Sequence, residues 1–182
     1  MKHYLLAFPL LALSASALAN TAVISFTGNV IAGSCPITIK DPAGGASGTI
    51  DMGEAMAGNF DRVGLEVNHR NFAIKVDDPD TCPGWIDPGT NVGAVRFFGL
   101  AGGADSNQLF ALNAGGTPAT GVALGIKDDA GTLVGHGGTS KDYPLTGGQA
   151  NELGFTAFYK STAATVVAGA ADADVSVELT IN

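Results

Sequence analysis

The chain has 182 residues, 26 of them glycine, and is acidic, with 17 Asp and Glu against 9 Lys and Arg for a formal charge of −8 at pH 7. That length suits one domain with a core of its own. The charge excludes nucleic acid and anionic lipid as partners held by bulk electrostatics, so neither nucleic acid nor a membrane surface is expected as a partner.

The chain opens with a leader. Residues 1–19 combine a positive start at Lys2, an apolar stretch from Tyr4 to Leu13 and an Ala17-Leu18-Ala19 ending. This reads as a secretory signal peptide removed before Asn20. The apolar run is shorter than the roughly 20 residues that cross a bilayer, and no later segment qualifies, so no membrane span is expected.

An apolar strand follows directly. In the stretch TAVISFTGNVIAGSC, Ala22, Ile24, Phe26, Gly28 and Val30 fall on one side of an extended strand. A glycine inside a strand weakens it and often marks close approach of another backbone; a bulge in an ordinary strand is the alternative. The only two cysteines, Cys35 and Cys82, lie in the exported part. An oxidising compartment makes a Cys35–Cys82 disulfide the expected state. Two free thiols or a two-cysteine metal site are disfavoured, because no histidine sits at ligand spacing.

Short alternating runs separated by turn residues then recur, the pattern of an antiparallel all-β domain. Including the opening strand, runs are expected at 23–31, 37–39, 48–52, 71–76, 94–100, 108–112, 122–127, 132–134, 153–160 and 174–181. Asp128-Asp129-Ala130-Gly131 reads as a hairpin turn. The Pro- and Gly-rich piece 78–89 reads as a loop pinned by Cys82. The last run alternates to its end, with Val175, Val177, Leu179 and Ile181 facing one way. A sandwich that stops there covers this apolar face only if another strand lies beside it. The opening strand, from within the chain or from another copy, is the candidate.

No catalytic constellation is present: no Gly-x-Ser-x-Gly, no His-Glu-x-x-His and no Gly-x-x-x-x-Gly-Lys. His69 and His136 sit in no motif and read as surface or loop histidines. Asp77-Asp78-Pro79-Asp80 lacks the spacing of an EF-hand and reads as a solvated turn. Asp172 and Asp174 belong to the turn before the last run. Trp85 reads as packing over the disulfide or across a subunit contact rather than stacking on a sugar. No metal, cofactor or enzymatic activity is expected.

Several of these pieces, taken in order, resemble a known family. They are Phe26-Thr27-Gly28-Asn29-Val30 shortly before the first cysteine, Asn107-Gln108-Leu109, Gly121-Val122-Ala123-Leu124-Gly125-Ile126, Leu153-Gly154-Phe155-Thr156-Ala157-Phe158-Tyr159 and the approach 167–174 to the terminal strand. Together they resemble the subunits of chaperone–usher fimbriae, in particular the type 1 pilin family, over essentially the whole chain after the signal. The resemblance implies an immunoglobulin-like sandwich that lacks its last strand and is completed by a donor strand from a neighbouring subunit. It divides the chain into a signal peptide at 1–19, a donor-strand extension at 20–33 and a pilin domain at 34–182.

On this resemblance, Ala22, Ile24, Phe26, Gly28 and Val30 form the donor face, with Gly28 opposite a part of the groove too crowded for a side chain. Val175, Val177, Leu179 and Ile181 line the acceptor groove, with Phe155 and Ala157 behind them as core. Many members carry a tyrosine where this chain has Ile181, which keeps the apolar contact without the hydroxyl. The implied partners are other copies or related pilins in a head-to-tail filament, a periplasmic chaperone and an outer-membrane usher. The implied location is a fimbria on the bacterial surface, reached through the periplasm. The role favoured is the major rod subunit. A minor adapter or tip-associated pilin, or a secreted carbohydrate-binding sandwich, is the alternative.

Overall fold

Alternating apolar residues pair into two antiparallel sheets across residues 35–182, the part of the chain that the computed structural model describes. The nine strands, in chain order, are β1 (Ile37–Lys40), β2 (Glu66–Val76), β3 (Asn91–Gly99), β4 (Gly103–Ala104), β5 (Leu109–Phe110), β6 (Val122–Asp128), β7 (Tyr143–Leu145), β8 (Asn151–Ser161) and β9 (Val175–Ile181). One sheet runs β1-β2-β8-β6-β5-β4 and the other β7-β3-β9. The all-β sandwich expected from the alternation is present. The opening strand at 23–31 lies outside the described residues.

Most runs fall where the period-2 pattern put them, with corrected boundaries. Strand β2 begins at Glu66, before the expected Asn71, and contains an irregularity between Val67 and Arg70 where Asn68 has φ 54. A bulge breaks the alternation and hides the first half of the strand from a pattern search. The expected strand at 48–52 is not a strand. Glycines at 44, 45, 48 and 53 punctuate the segment, and after the Lys40–Ala46 bridge it has no ladder partner among the described residues. The run at 132–134 shrinks to a single bridge between Lys127 and Leu133. Strand β7, unforeseen, holds Pro144 on the outer edge of its sheet, the place where a missing N–H does least harm.

The hairpin turn at 128–131 is built as expected. Gly131 N–H donates to the Asp128 carbonyl (2.9 Å) and Asp128 N–H to the Thr132 carbonyl (3.0 Å), with Gly131 at φ 80. The Asp128 carboxylate is 2 % exposed and accepts from the backbone N–H groups of Ala130 (3.1 Å), Thr132 (2.9 Å) and Lys141 (3.3 Å). A buried carboxylate is tolerated here because its oxygens are occupied by donors.

The core lies between the sheets. Phe72 of β2 and Phe155 of β8 stack at 5.6 Å, and Phe97 of β3 meets Phe155 edge-on at 5.0 Å, an arrangement that ring quadrupoles favour. Tyr143 of β7 closes the cluster at 5.6 Å from Phe155 and donates its hydroxyl to the Gly154 carbonyl at 2.7 Å. The expected Cys35–Cys82 disulfide is formed, tying the residues before β1 to the loop after β2. Trp85, half-buried, packs against the core from that loop, its ring lying over Gly147.

On the outer face of the larger sheet, Phe158 is fully buried. Gly125 leaves the space for it, since a Cβ there would lie 2.3 Å from the ring. The Lys127 ammonium covers the ring at 4.7 Å and the His69 ring stacks at 5.4 Å. Glu66 accepts from Lys127 at 2.6 Å. Burial raises the Glu66 carboxyl, but the hydrogen bonds from Lys127 and His69 outweigh it and hold the group below the usual carboxylate range.

Candidate functional site: an apolar groove beside the last strand

Strand β9 pairs with β3 in continuous register from Gly93–Ile181 to Gly99–Val175. Its other edge has no ladder partner among the described residues. Its residues alternate strictly: Ser176, Glu178 and Thr180 are exposed, while Val175, Val177 and Leu179 on the inward face are half-buried and Ile181 is buried. An unpaired edge carrying an apolar face is an invitation to strand addition, which natural proteins ordinarily block.

Beside that edge lies a groove of about 760 Å³. One wall is formed by residues 171–177 with Leu100. The opposite wall is Ile39 of β1 and the unpaired segment 48–53. The floor comes from both sheets: Phe72, Phe97, Leu124, Ile126, Ala157 and Tyr159. One wall carries the free edge of β9 and the other is the irregular segment beside β1, so the groove is an unfilled strand position at the side of the sandwich. The Tyr159 hydroxyl donates to the Ala171 carbonyl at 2.8 Å, and burial, then the Asp172 and Asp51 charges, raise its pKa. Two further contacts brace the 171–174 wall from behind. Asn113 N–H donates to the Asp172 carbonyl (2.8 Å) and Leu100 N–H to the Asp174 carbonyl (2.8 Å).

The residues expected to line an acceptor groove divide. Val175 and Val177 border this trough. Leu179 lies further along the same face, against the space beside Gly93, and Ile181 is covered by the cysteine loop, its carbonyl closing on Gly84. Phe155 is core and does not reach the groove, whereas Ala157 is on its floor. The donor-face residues Ala22, Ile24, Phe26, Gly28 and Val30 lie outside the described residues. The sequence reading missed the second wall. Its signal was present in the alternation of Ile37 with Ile39 and of Ile50 with Met52, all half-buried against the core.

Among the described residues no group of three or more His, Cys, Asp or Glu is placed to hold a metal ion, and no helix is long and apolar enough to cross a membrane. The Asp77–Asp80 cluster forms the turn around a short 3-10 helix (Pro79–Thr81), with Lys75 paired to Asp77.

Comparison with known proteins gives a consistent picture. A family described as Fimbrial protein matches residues 24–182. The chain is 30% identical over 183 residues to the probable major fimbrial subunit LpfA of Escherichia coli O157:H7, covering 98% of this chain and 96% of that protein. It is 30% identical over 177 residues to long polar fimbria protein A of Salmonella typhimurium, covering 92% and 93% of the two. Among solved structures it superposes on the P pilus rod subunit PapA with a TM-score of 0.59 at 23% identity, covering 81% of this chain and 99% of that one. A subunit chain from a chaperone–usher pilus gives a TM-score of 0.59 at 21% identity, covering 93% and 100%. These last two likenesses show a shared fold.

Proposed function

The chain belongs to the fimbrial protein family, a family of structural subunits rather than enzymes, and from that premise we propose that it builds a surface fimbria by donor-strand exchange. Residues 20–33 of one copy enter the groove of the next, and 34–182 form the accepting domain. The observation that carries this reading is the groove itself: an apolar trough along the outer edge of β9, an edge with no ladder partner among the described residues. Strand addition supplies ladder hydrogen bonds to such an edge while alternate side chains fill its pockets. Each Ile, Phe or Val so buried contributes about 1.5–3 kcal/mol, against ordering costs of about 1–2 kcal/mol per residue. Head-to-tail exchange does not close on itself, so its product is a filament.

Residues 1–19 act as the export signal in this reading, a periplasmic chaperone holds the open groove and an outer-membrane usher assembles the polymer. The major rod role is supported by the likeness to a probable major subunit over nearly the whole of both chains. Immunogold label distributed along the filament is the expected result, and label confined to one end would assign a tip or adapter role instead.

The direct test deletes residues 20–31 and expresses the remainder with its chaperone. The product should stay soluble and form no fibres; fibres from the truncated chain would remove the donor assignment. Gly28→Leu should retain the chaperone complex and block exchange, and normal filaments from it would refute the crowded position assigned to Gly28.

A further inference from the structure

Strand β3 is held on two sides, and the side away from β9 changes its means of support along its length. At Asn91–Gly93 the partner is β7. At Val95 the N–H donates to the Ser140 hydroxyl (3.0 Å) while Ser140 N–H returns a bond to the Val95 carbonyl (2.8 Å). At Phe97 the N–H meets the Gly138 carbonyl (3.4 Å) and Gly137 N–H donates back (2.7 Å). The next N–H on this side belongs to Gly99, and no backbone carbonyl among the described residues takes it. It donates to Nδ1 of His136 at 3.0 Å. An imidazole nitrogen replaces the backbone at the last rung.

The surroundings make this substitution specific. His136 is anchored by its own N–H, which donates to the Asn107 carbonyl at 2.8 Å. Its ring lies edge-on to Phe98 (6.2 Å) and Phe110 (6.4 Å). A nitrogen that accepts carries no proton, so the ring proton sits on Nε2. Gly99 is itself buried, and a Cβ there would come 2.6 Å from the Gly102 carbonyl oxygen. Without the imidazole its N–H would be a buried donor with no acceptor among the described residues.

Gly99 is also the residue paired with Val175, and its neighbour Leu100 donates to the Asp174 carbonyl. Val175, Asp174 and Leu100 line the groove. We infer that His136 is a positioning residue for the groove: its Nδ1 closes the last rung of β3 and so holds the 174–175 wall at the spacing an entering strand requires. The inference rests on the groove being the acceptor. His136 touches no ligand itself and acts through Gly99.

The test uses the full-length protein with His136→Ala and His136→Asn, the second chosen because the Asn carbonyl oxygen can take the place of Nδ1. Amide hydrogen exchange is followed in 96–101 and 172–178, together with release of a labelled synthetic peptide of residues 20–31 taken up by each protein. His136→Ala should speed exchange in both segments and peptide release by about fivefold, the size expected for one net hydrogen bond, and His136→Asn should restore most of it. Wild-type rates in His136→Ala, or failure of His136→Asn to restore them, would overturn the role given to Nδ1. If the wild type takes up no peptide while the exchange pattern holds, the acceptor reading falls and the bracing of the 174–175 wall by His136 stands.

Discussion

Strands β8 and β9 carry the same kind of alternation and are buried to different extents. In β8, Leu153, Phe155, Ala157 and Tyr159 are all at most 6 % exposed, because β2 flanks one edge and β6 the other. In β9, Val175, Val177 and Leu179 remain half exposed with β3 on one edge only, and full burial arrives at Ile181, where the cysteine loop folds over. An apolar face is a property of the strand. Its burial is a property of the neighbours, and the difference between these two strands is the space for one more.

The comparison breaks most severely at β8. Phe155→Ala should cost about 3–5 kcal/mol in chemical denaturation, since the ring is 2 % exposed and touches Phe72, Phe97 and Tyr143. Removing the disulfide with Cys35→Ser and Cys82→Ser should cost about 4 kcal/mol by loop-closure entropy for a separation of 47 residues. Asp128→Ala should cost about 1–3 kcal/mol in the same measurement, because three backbone N–H groups lose their acceptor. Val177→Ala in β9 should cost only about 1 kcal/mol of subunit stability, yet weaken filaments measurably in a dissociation assay. A stability loss as large as that of Phe155→Ala would mean that the face of β9 is already closed.

The smallest effect sharpens the closed side. Burial pushes the Tyr143 hydroxyl from 10.0 up to about 12. The folded protein holds that proton more tightly than the unfolded chain, so this contribution is complete below pH 10 and is lost as the pH rises from 10 to 12. Denaturation midpoints should fall across that interval, and Tyr143→Phe should flatten the fall while lowering stability at neutral pH through loss of the bond to Gly154.

Much of this was legible in the chain before folding. The alternation of 122–127, 153–160 and 174–181 located β6, β8 and β9 to within two residues, because each presents one apolar face with no bulge to interrupt it. The cysteine pair followed from there being only two. The segment 48–52 misled because alternation there marks a groove wall with no ladder partner, and β7 went unseen because three residues with a central proline carry no periodic signal. His136 was invisible as anything but a loop histidine, since its role depends on which backbone N–H stands 3.0 Å from Nδ1.

The order of residues by itself determined which faces are apolar, where the chain turns and that a disulfide staples the fold, because these depend on neighbours one or two positions apart and on two unique sulfurs. Only the tertiary structure decided that Ile39, Ile50 and Met52 stand across a trough from Val175 and Val177. It also decided that Leu179 lies beside Gly93 and Ile181 under the cysteine loop, and that an imidazole ends the ladder of β3. Those facts depend on how the two sheets stack and which edges are left uncovered, and a period of two along one strand carries no information about the distance to another.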